Sequence, residues 1–235
     1  MLAVTFPFLI LLYNGIMTDK TTLSEFFKSQ GKPRHFAKGQ LILATNERLN
    51  EVLEIRSGLV KVYDVDPYGN ERTVTIFGKG HFFPLVWLLK QHEEVIFFYQ
   101  AISDVDVQSV SYESVVEFIS GRNDILLDLV DKLTKAFINQ DGRIYNLQHS
   151  NVREKLEFVL YHLGVRVGRV ENNVAIIPGI ITRAEIANLA GCSRESISRE
   201  LNNITAAGLM WKKDGKTYVD FSKMKSKYFH KVYKV

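Results

Sequence analysis

At 235 residues the chain can hold one large or two modest domains. Its 46% hydrophobic and 24% charged residues suit a soluble globular protein with buried cores. A single cysteine, Cys192, excludes an intrachain disulfide and a four-cysteine iron–sulfur cluster, and fits a reducing cytoplasm. The net charge of +4 is mild but uneven. Residues 151–235 carry 15 Lys and Arg against 8 Asp and Glu, a balance of +7, whereas residues 1–150 balance at −3. A basic C-terminal third behind a slightly acidic body is the footprint expected for binding a phosphate backbone.

The first sixteen residues, MLAVTFPFLILLYNGI, are apolar over about a dozen positions, too short a run to span a bilayer comfortably. They lack a basic start and a small-residue cleavage site, so they make a poor signal peptide. Met17 opens an ordinary cytosolic start, MTDKTTLSEFF, and the native chain is expected to begin there. A membrane-tethered regulator is the alternative. Residues 18–30 read as a short helix with Leu23, Phe26 and Phe27 on one side. From Arg34 to Tyr112 the pattern is short strands. They are expected at Gln40–Ala44, Val52–Arg56, Leu59–Asp64, Arg72–Phe77, Val95–Ala101 and Val105–Ser109, with Tyr68-Gly69-Asn70 as a hairpin turn. Strands at this spacing predict a small sandwich or roll.

The period then changes to three and four. Leu126, Leu129, Val130, Leu133, Phe137 and Ile144 form a narrow apolar stripe along a long helix over Asn123–Gln148. One stripe on so long a helix seeks a partner helix, which predicts a homodimer seam. Asp141 and Gly142 weaken that helix locally. Val152–Val167 reads as a second helix, with Leu156, Val159, Leu160 and Leu163 inward.

Ile181–Leu209 holds two short amphipathic helices across a tight turn. Thr182 and Glu185 have capping-box spacing, Gly191 ends the first helix, and Ser193 caps the second. Ile186, Leu189 and Ala190 face one way on the first helix, and Ile197, Leu201 and Ile204 on the second. This is a helix-turn-helix by spacing and capping, and it makes double-stranded DNA the leading partner. WKKDGKTYVDF then reads strand–turn–strand around Asp214-Gly215, a wing.

A small β-roll, a long helix, a second helix and ITRAEIANLAGCSRESISRELNNI with a wing, in that order, resemble the Crp/Fnr family of bacterial transcription regulators. The resemblance covers roughly Leu23–Phe221. It implies an α+β fold: a cyclic-nucleotide-binding-like β-roll over residues 17–120, a dimerisation helix over 121–150 and a winged helix-turn-helix DNA-binding domain over 151–235, behind an apolar extension 1–16. It also implies a cytoplasmic homodimer on a two-fold-related DNA site, with contact to RNA polymerase left open. The positions matching the family's base-reading residues are Arg194, Glu195 and Arg199. Arg can address guanine O6 and N7, and Glu the cytosine amino group. Thr182, Arg183, Ser193, Ser196 and Ser198 match cap or phosphate-positioning residues. Cys192 reads as a small buried turn residue.

Family members that bind cyclic AMP hold it with a G-E-L segment and a downstream Arg-Ser pair. Here Pro84 and Leu85 replace the Gly and Glu, and Val95 and Ile96 replace the Arg and Ser. Burying a phosphate without a cation or free amides would cost several kcal/mol. Cyclic AMP and cyclic GMP are therefore not expected to bind, and no cofactor is predicted. Phe82, Phe83, Leu85, Trp87, Phe97, Phe98 and Tyr99 crowd this region instead. They form either a collapsed, ligand-free core or a pocket for an apolar or aromatic effector. His81 and His92 raise haem as a remote third reading.

No spacing suggests a bound metal. No phosphate-binding Gly-rich loop or nucleophile elbow is present, and Glu93 and Glu94 would point to opposite faces of a strand. The chain is therefore expected not to be an enzyme. The alternative to a DNA-binding regulator is a ligand-binding or membrane-tethered sensor with a vestigial DNA-binding domain.

Overall fold

The computed structural model describes residues 22–48, 50–84, 94–149 and 151–224. Helix α1 (Leu23–Gln30) begins at a capping box in which Thr22 and Glu25 satisfy each other's backbone amides, and it buries Leu23 and Phe27. Eight strands follow: β1 (Lys32–Phe36), β2 (Leu41–Leu43), β3 (Glu51–Ser57), β4 (Val60–Val65), β5 (Glu71–Phe77), β6 (Phe82–Phe83), β7 (Phe98–Ala101) and β8 (Val105–Ser111). They form two antiparallel four-stranded sheets, ordered β1-β8-β3-β6 and β2-β7-β4-β5. Leu53, Ile55, Val62, Phe83, Tyr99 and Val107 fill the space between them, the expected roll.

Val95 to Phe97 precede the strand that was expected to start at Val95. Lys32–Phe36 pairs with β8 although four of its five side chains are exposed, so no hydrophobic run announced it. Tyr112–Ile119 forms helix α2, capped by Ser111 and held inward by Val115 and Ile119.

Helix α3 (Asn123–His149) is the long helix, and α4 (Val152–Arg166) follows after an Asn151 capping box. Strands β9 (Arg169–Glu171) and β10 (Val174–Pro178) form a hairpin whose two-residue loop puts Asn172 and Asn173 at positive φ. Then come α5 (Arg183–Ala190), α6 (Arg194–Ala206), and the wing strands β11 (Met210–Lys213) and β12 (Lys216–Asp220). The wing joins the earlier hairpin in one sheet, β11-β12-β10-β9, so it is half of a four-stranded sheet and not a free hairpin.

The C-terminal core seats directly on the roll. Leu156, Leu160 and Leu163 of α4 share one cluster with Ile186, Ile197 and Leu201, and also with Leu59, Ile76 and Ile102 from the roll. Each such side chain, fully buried, contributes about 1.5–3 kcal/mol. Gly164 lets α4 lie close to β10: a Cβ there would meet the Ala175 Cβ at 2.6 Å. Arg153 bonds Glu157 one turn on (2.6 Å) and Glu200 of α6 (3.1 Å), fixing α6 across α4.

Candidate functional site

Helix α5 starts where the Thr182 Oγ1 accepts the Glu185 amide (3.2 Å) and the Glu185 carboxylate accepts the Thr182 amide (2.6 Å). It stops at Gly191, whose φ of 60° is left-handed. The Cys192 amide then donates to Ala187 O (3.0 Å), closing the turn, while the Cys192 side chain is half-buried. Ser193 caps α6 by accepting the Ser196 amide (3.2 Å). Ile197, Leu201 and Ile204 point into the core, which fixes the opposite edge of α6 outward.

Arg194, Glu195 and Arg199 all lie on that exposed edge, and no hydrogen bond or ion pair joins any of them to a described residue. Arg183 is exposed but donates to Asn202 Oδ1 on α6 (3.3 Å), so it braces the two helices against each other. Ser196 and Ser198 are half-buried; Thr182 and Ser193 are exposed and engaged as caps. Asn202, which was not singled out in the sequence, shares the outer surface of α6. A groove of about 520 Å³ separates α5 and Arg194 from the β4–β5 turn, and Asn188 Nδ2 spans it by donating to Glu71 O (3.2 Å).

The aromatic residues of the roll divide. Phe83 stacks on Tyr99 with ring centroids 5.2 Å apart, and Phe97 packs against the same core. Phe98 alternates to the other face and stacks on Tyr63, so it is removed from the expected pocket. Phe82 packs on Phe27. Leu85, Trp87 and His92 lie outside the described residues. Val95 is in the roll core and Ile96 is exposed; neither side chain offers a hydrogen-bond donor.

Two adjoining cavities, of about 350 and 230 Å³, open between the roll, α3 and α4. Phe77, Tyr99, Ala136, Asn139 and Arg166 border both. His81 borders the first, and Arg143 and His162 the second. These cations lie outside the roll strands: Arg143 comes from α3 and Arg166 from α4. Arg143 donates to the carbonyls of Val74 and Thr73. Burial, then the charges of Arg166 and Arg143, pushes His162 down to about 3. Burial likewise takes His81 down to about 4, with Arg166 adding to the effect. Tyr99 is pushed up to about 12 by burial.

These shifts have a consequence for stability. An unfolded histidine titrates near 6.5. Below that pH the unfolded chain takes up protons that folded His162 and His81 refuse. Stability is therefore complete above about pH 6.5 and falls as pH drops toward 4, by about 2 kcal/mol per histidine at about pH 5. Thermal unfolding at about pH 7 and pH 5 should show this fall, and His162→Phe should reduce it. An equal fall in the variant would exclude His162 as a source.

A roll joined by a long helix to a winged helix-turn-helix defines a two-part DNA-binding regulator. A family model for the cyclic nucleotide-binding domain matches residues 33–122, and one for bacterial regulatory proteins of the crp family matches residues 181–210. The cAMP-activated global transcriptional regulator CRP of Pasteurella multocida is 25% identical over 195 residues, covering 83% of this chain and 92% of its own. The CRP-like cAMP-activated global transcriptional regulator of Mycobacterium tuberculosis is 25% identical over 179 residues, 76% of this chain and 80% of its own. Among solved structures, FixK2 from Bradyrhizobium japonicum superposes with a TM-score of 0.69 at 16% identity, covering 80% of this chain and 91% of that one. A CooA mutant from Carboxydothermus hydrogenoformans gives 0.67 at 20% identity, covering 88% and 95%. The chain belongs to the Crp/Fnr family of transcription regulators. No described helix is long and apolar enough to cross a membrane.

Proposed function

We propose that the chain works in the cytoplasm as a homodimer on a two-fold-related DNA site, and that cyclic nucleotides do not switch it. In this reading residues 17–120 are the sensor-like roll, 121–150 the dimerisation helix and 151–235 the DNA-binding domain. The observation that carries the DNA reading is the exposed edge of α6 bearing Arg194, Glu195 and Arg199, which pair with no described residue. Charged groups held outward on a capped helix can reach base edges in a major groove. Thr182, Arg183, Ser193, Ser196 and Ser198 would set the helix on the backbone. Two recognition helices would sit about 34 Å apart, one helical turn of DNA.

Footprinting on genomic fragments selected by the protein tests this. Protection of an inverted repeat, with affinity falling steeply as salt rises, is the expected result. Protection indifferent to sequence would count against it.

The absence of a cyclic-nucleotide switch rests on Val95 and Ile96 standing where relatives that bind cyclic AMP carry an Arg-Ser pair. Calorimetric titration of the full-length dimer with cyclic AMP and cyclic GMP should give no binding at micromolar concentration. Micromolar affinity for either would overturn this part of the proposal.

A further inference from the structure

The exposed edge of α6 does not end at Arg199. Asn202 follows Glu195 by two helical turns and Arg199 by three residues, so it continues the same edge toward the end of the helix. It is exposed, and its side chain makes one hydrogen bond in the described structure: Arg183 Nη2 of α5 donates to Asn202 Oδ1 at 3.3 Å. Arg183 occupies the first position of α5, is exposed as well, and pairs with no carboxylate among the described residues.

The chemistry of that bond fixes which way the amide faces. A guanidinium has donors and no acceptor, so Asn202 turns its carbonyl to Arg183 and its amino group away. An unrestrained asparagine addresses adenine with both ends of its amide, accepting from N6 and donating to N7. Asn202 cannot do this while its carbonyl is held, and what it offers outward is a pair of N–H donors. Guanine presents two adjacent acceptors in the major groove, N7 and O6, and thymine presents O4 alone. An adenine N6 amino group would face donors and find no acceptor. A donor-only amide therefore favours guanine over adenine, the reverse of the usual asparagine choice. Arg183 keeps further N–H groups free, so it can hold a phosphate while it braces Asn202.

We propose that Asn202 is a further base-reading residue, that it selects guanine at the base pair next to the one Arg199 addresses, and that Arg183 sets this choice by holding the Asn202 carbonyl. Three residues of helix advance about 4.5 Å, close to the spacing of about 3.4 Å between successive bases. This rests on the reading that α6 lies in the major groove. What it adds is a positioning residue on α5 that decides which base a residue on α6 accepts.

The test measures affinity of the full-length protein for its footprinted operator, with each base pair of both half-sites replaced in turn. The parent should prefer guanine at the pair beside the one where Arg199→Ala relaxes discrimination, by about fivefold or more. Replacing that guanine with 7-deazaguanine should weaken the parent. Asn202→Ala should flatten the preference at this pair alone and make 7-deazaguanine harmless there. Arg183→Ala should lower affinity for all sequences alike, through its phosphate contact, and should move the preference at this pair from guanine to adenine. A merely structural brace would not produce that exchange. Both side chains are exposed, so neither variant leaves a buried group unsatisfied. The proposal is overturned if Asn202→Ala leaves every base preference unchanged, if the parent prefers adenine at this pair, or if Arg183→Ala retains guanine. Arg199→Ala, measured in parallel, separates the two readings. Relaxed discrimination with Arg199→Ala but not with Asn202→Ala sinks only the role of Asn202, whereas unchanged preferences in both variants also sink base reading by α6.

Discussion

Replacing Arg194 and Arg199 together with alanine is expected to abolish recognition of the inverted repeat while leaving the fold intact. Each side chain is exposed and makes no hydrogen bond or ion pair with a described residue, so its removal leaves no buried group unsatisfied. Alanine also suits a helix interior. The effect should therefore fall on binding alone. Each lost base contact is expected to remove about 1–3 kcal/mol, and in a dimer both half-sites lose it. Specific affinity should drop by at least about a hundredfold toward the nonspecific level. Titration of labelled operator and of scrambled DNA separates the two terms. Loss on the operator with little change on scrambled DNA supports base reading. An equal loss on both would reassign these arginines to the phosphate backbone. Unchanged affinity would remove α6 from the interface.

How far the sequence foretold these features depends on whether their signal was local. The helix-turn-helix was legible almost residue by residue because caps act over three or four positions. Thr182 with Glu185, Gly191 and Ser193 are each decided by neighbouring backbone groups, and the structure has each in that role. The core of the roll followed from strand periodicity. The exposed strand β1 did not, since it is held by pairing with β8 and not by buried side chains. The hairpin before the helix-turn-helix did carry a signal in Asn172-Asn173, residues suited to a two-residue turn, but β9 is exposed throughout, so no hydrophobic run marked its first strand.

The Arg143–Arg166 cluster was illegible for a different reason. It joins residues 23 positions apart on two helices and sets them against Thr75 and Phe77 of the roll, so no local pattern brings them together. The same nonlocality explains Arg183. Its match to a phosphate-positioning site is local, whereas its bond to Asn202 depends on how two helices cross. Phe98 was misplaced because a run of aromatic residues looks uniform until strand alternation assigns each ring a face.

The largest quaternary effect is expected from charging the exposed stripe of α3. Val130 is 56% exposed, Leu133 50%, Phe137 68% and Ile144 53%, far more apolar surface than a soluble helix normally leaves to water. Leu126, Val130, Leu133, Phe137, Gln140, Ile144 and Leu147 alternate at four and three residues, the spacing of a two-stranded seam. Leu129, included in the stripe from sequence, is instead half-buried against the cluster of α1 and α2 and falls off this spacing. Leu133→Glu combined with Phe137→Glu should leave the subunit folded, because neither side chain is part of its cores. Within a dimer the same changes would bury like charges and forfeit apolar burial of about 1.5–3 kcal/mol per side chain on each helix. Sedimentation should then show one chain's 26.9 kDa in place of twice that mass. Operator affinity should fall by about a hundredfold or more, since a second recognition helix no longer arrives at the effective concentration its partner supplies. A half-site probe should bind the variant and the parent alike at matched subunit concentration. Persistence of the dimer would place the interface elsewhere. A monomer with undiminished operator affinity would show that the two-fold arrangement is not needed for recognition.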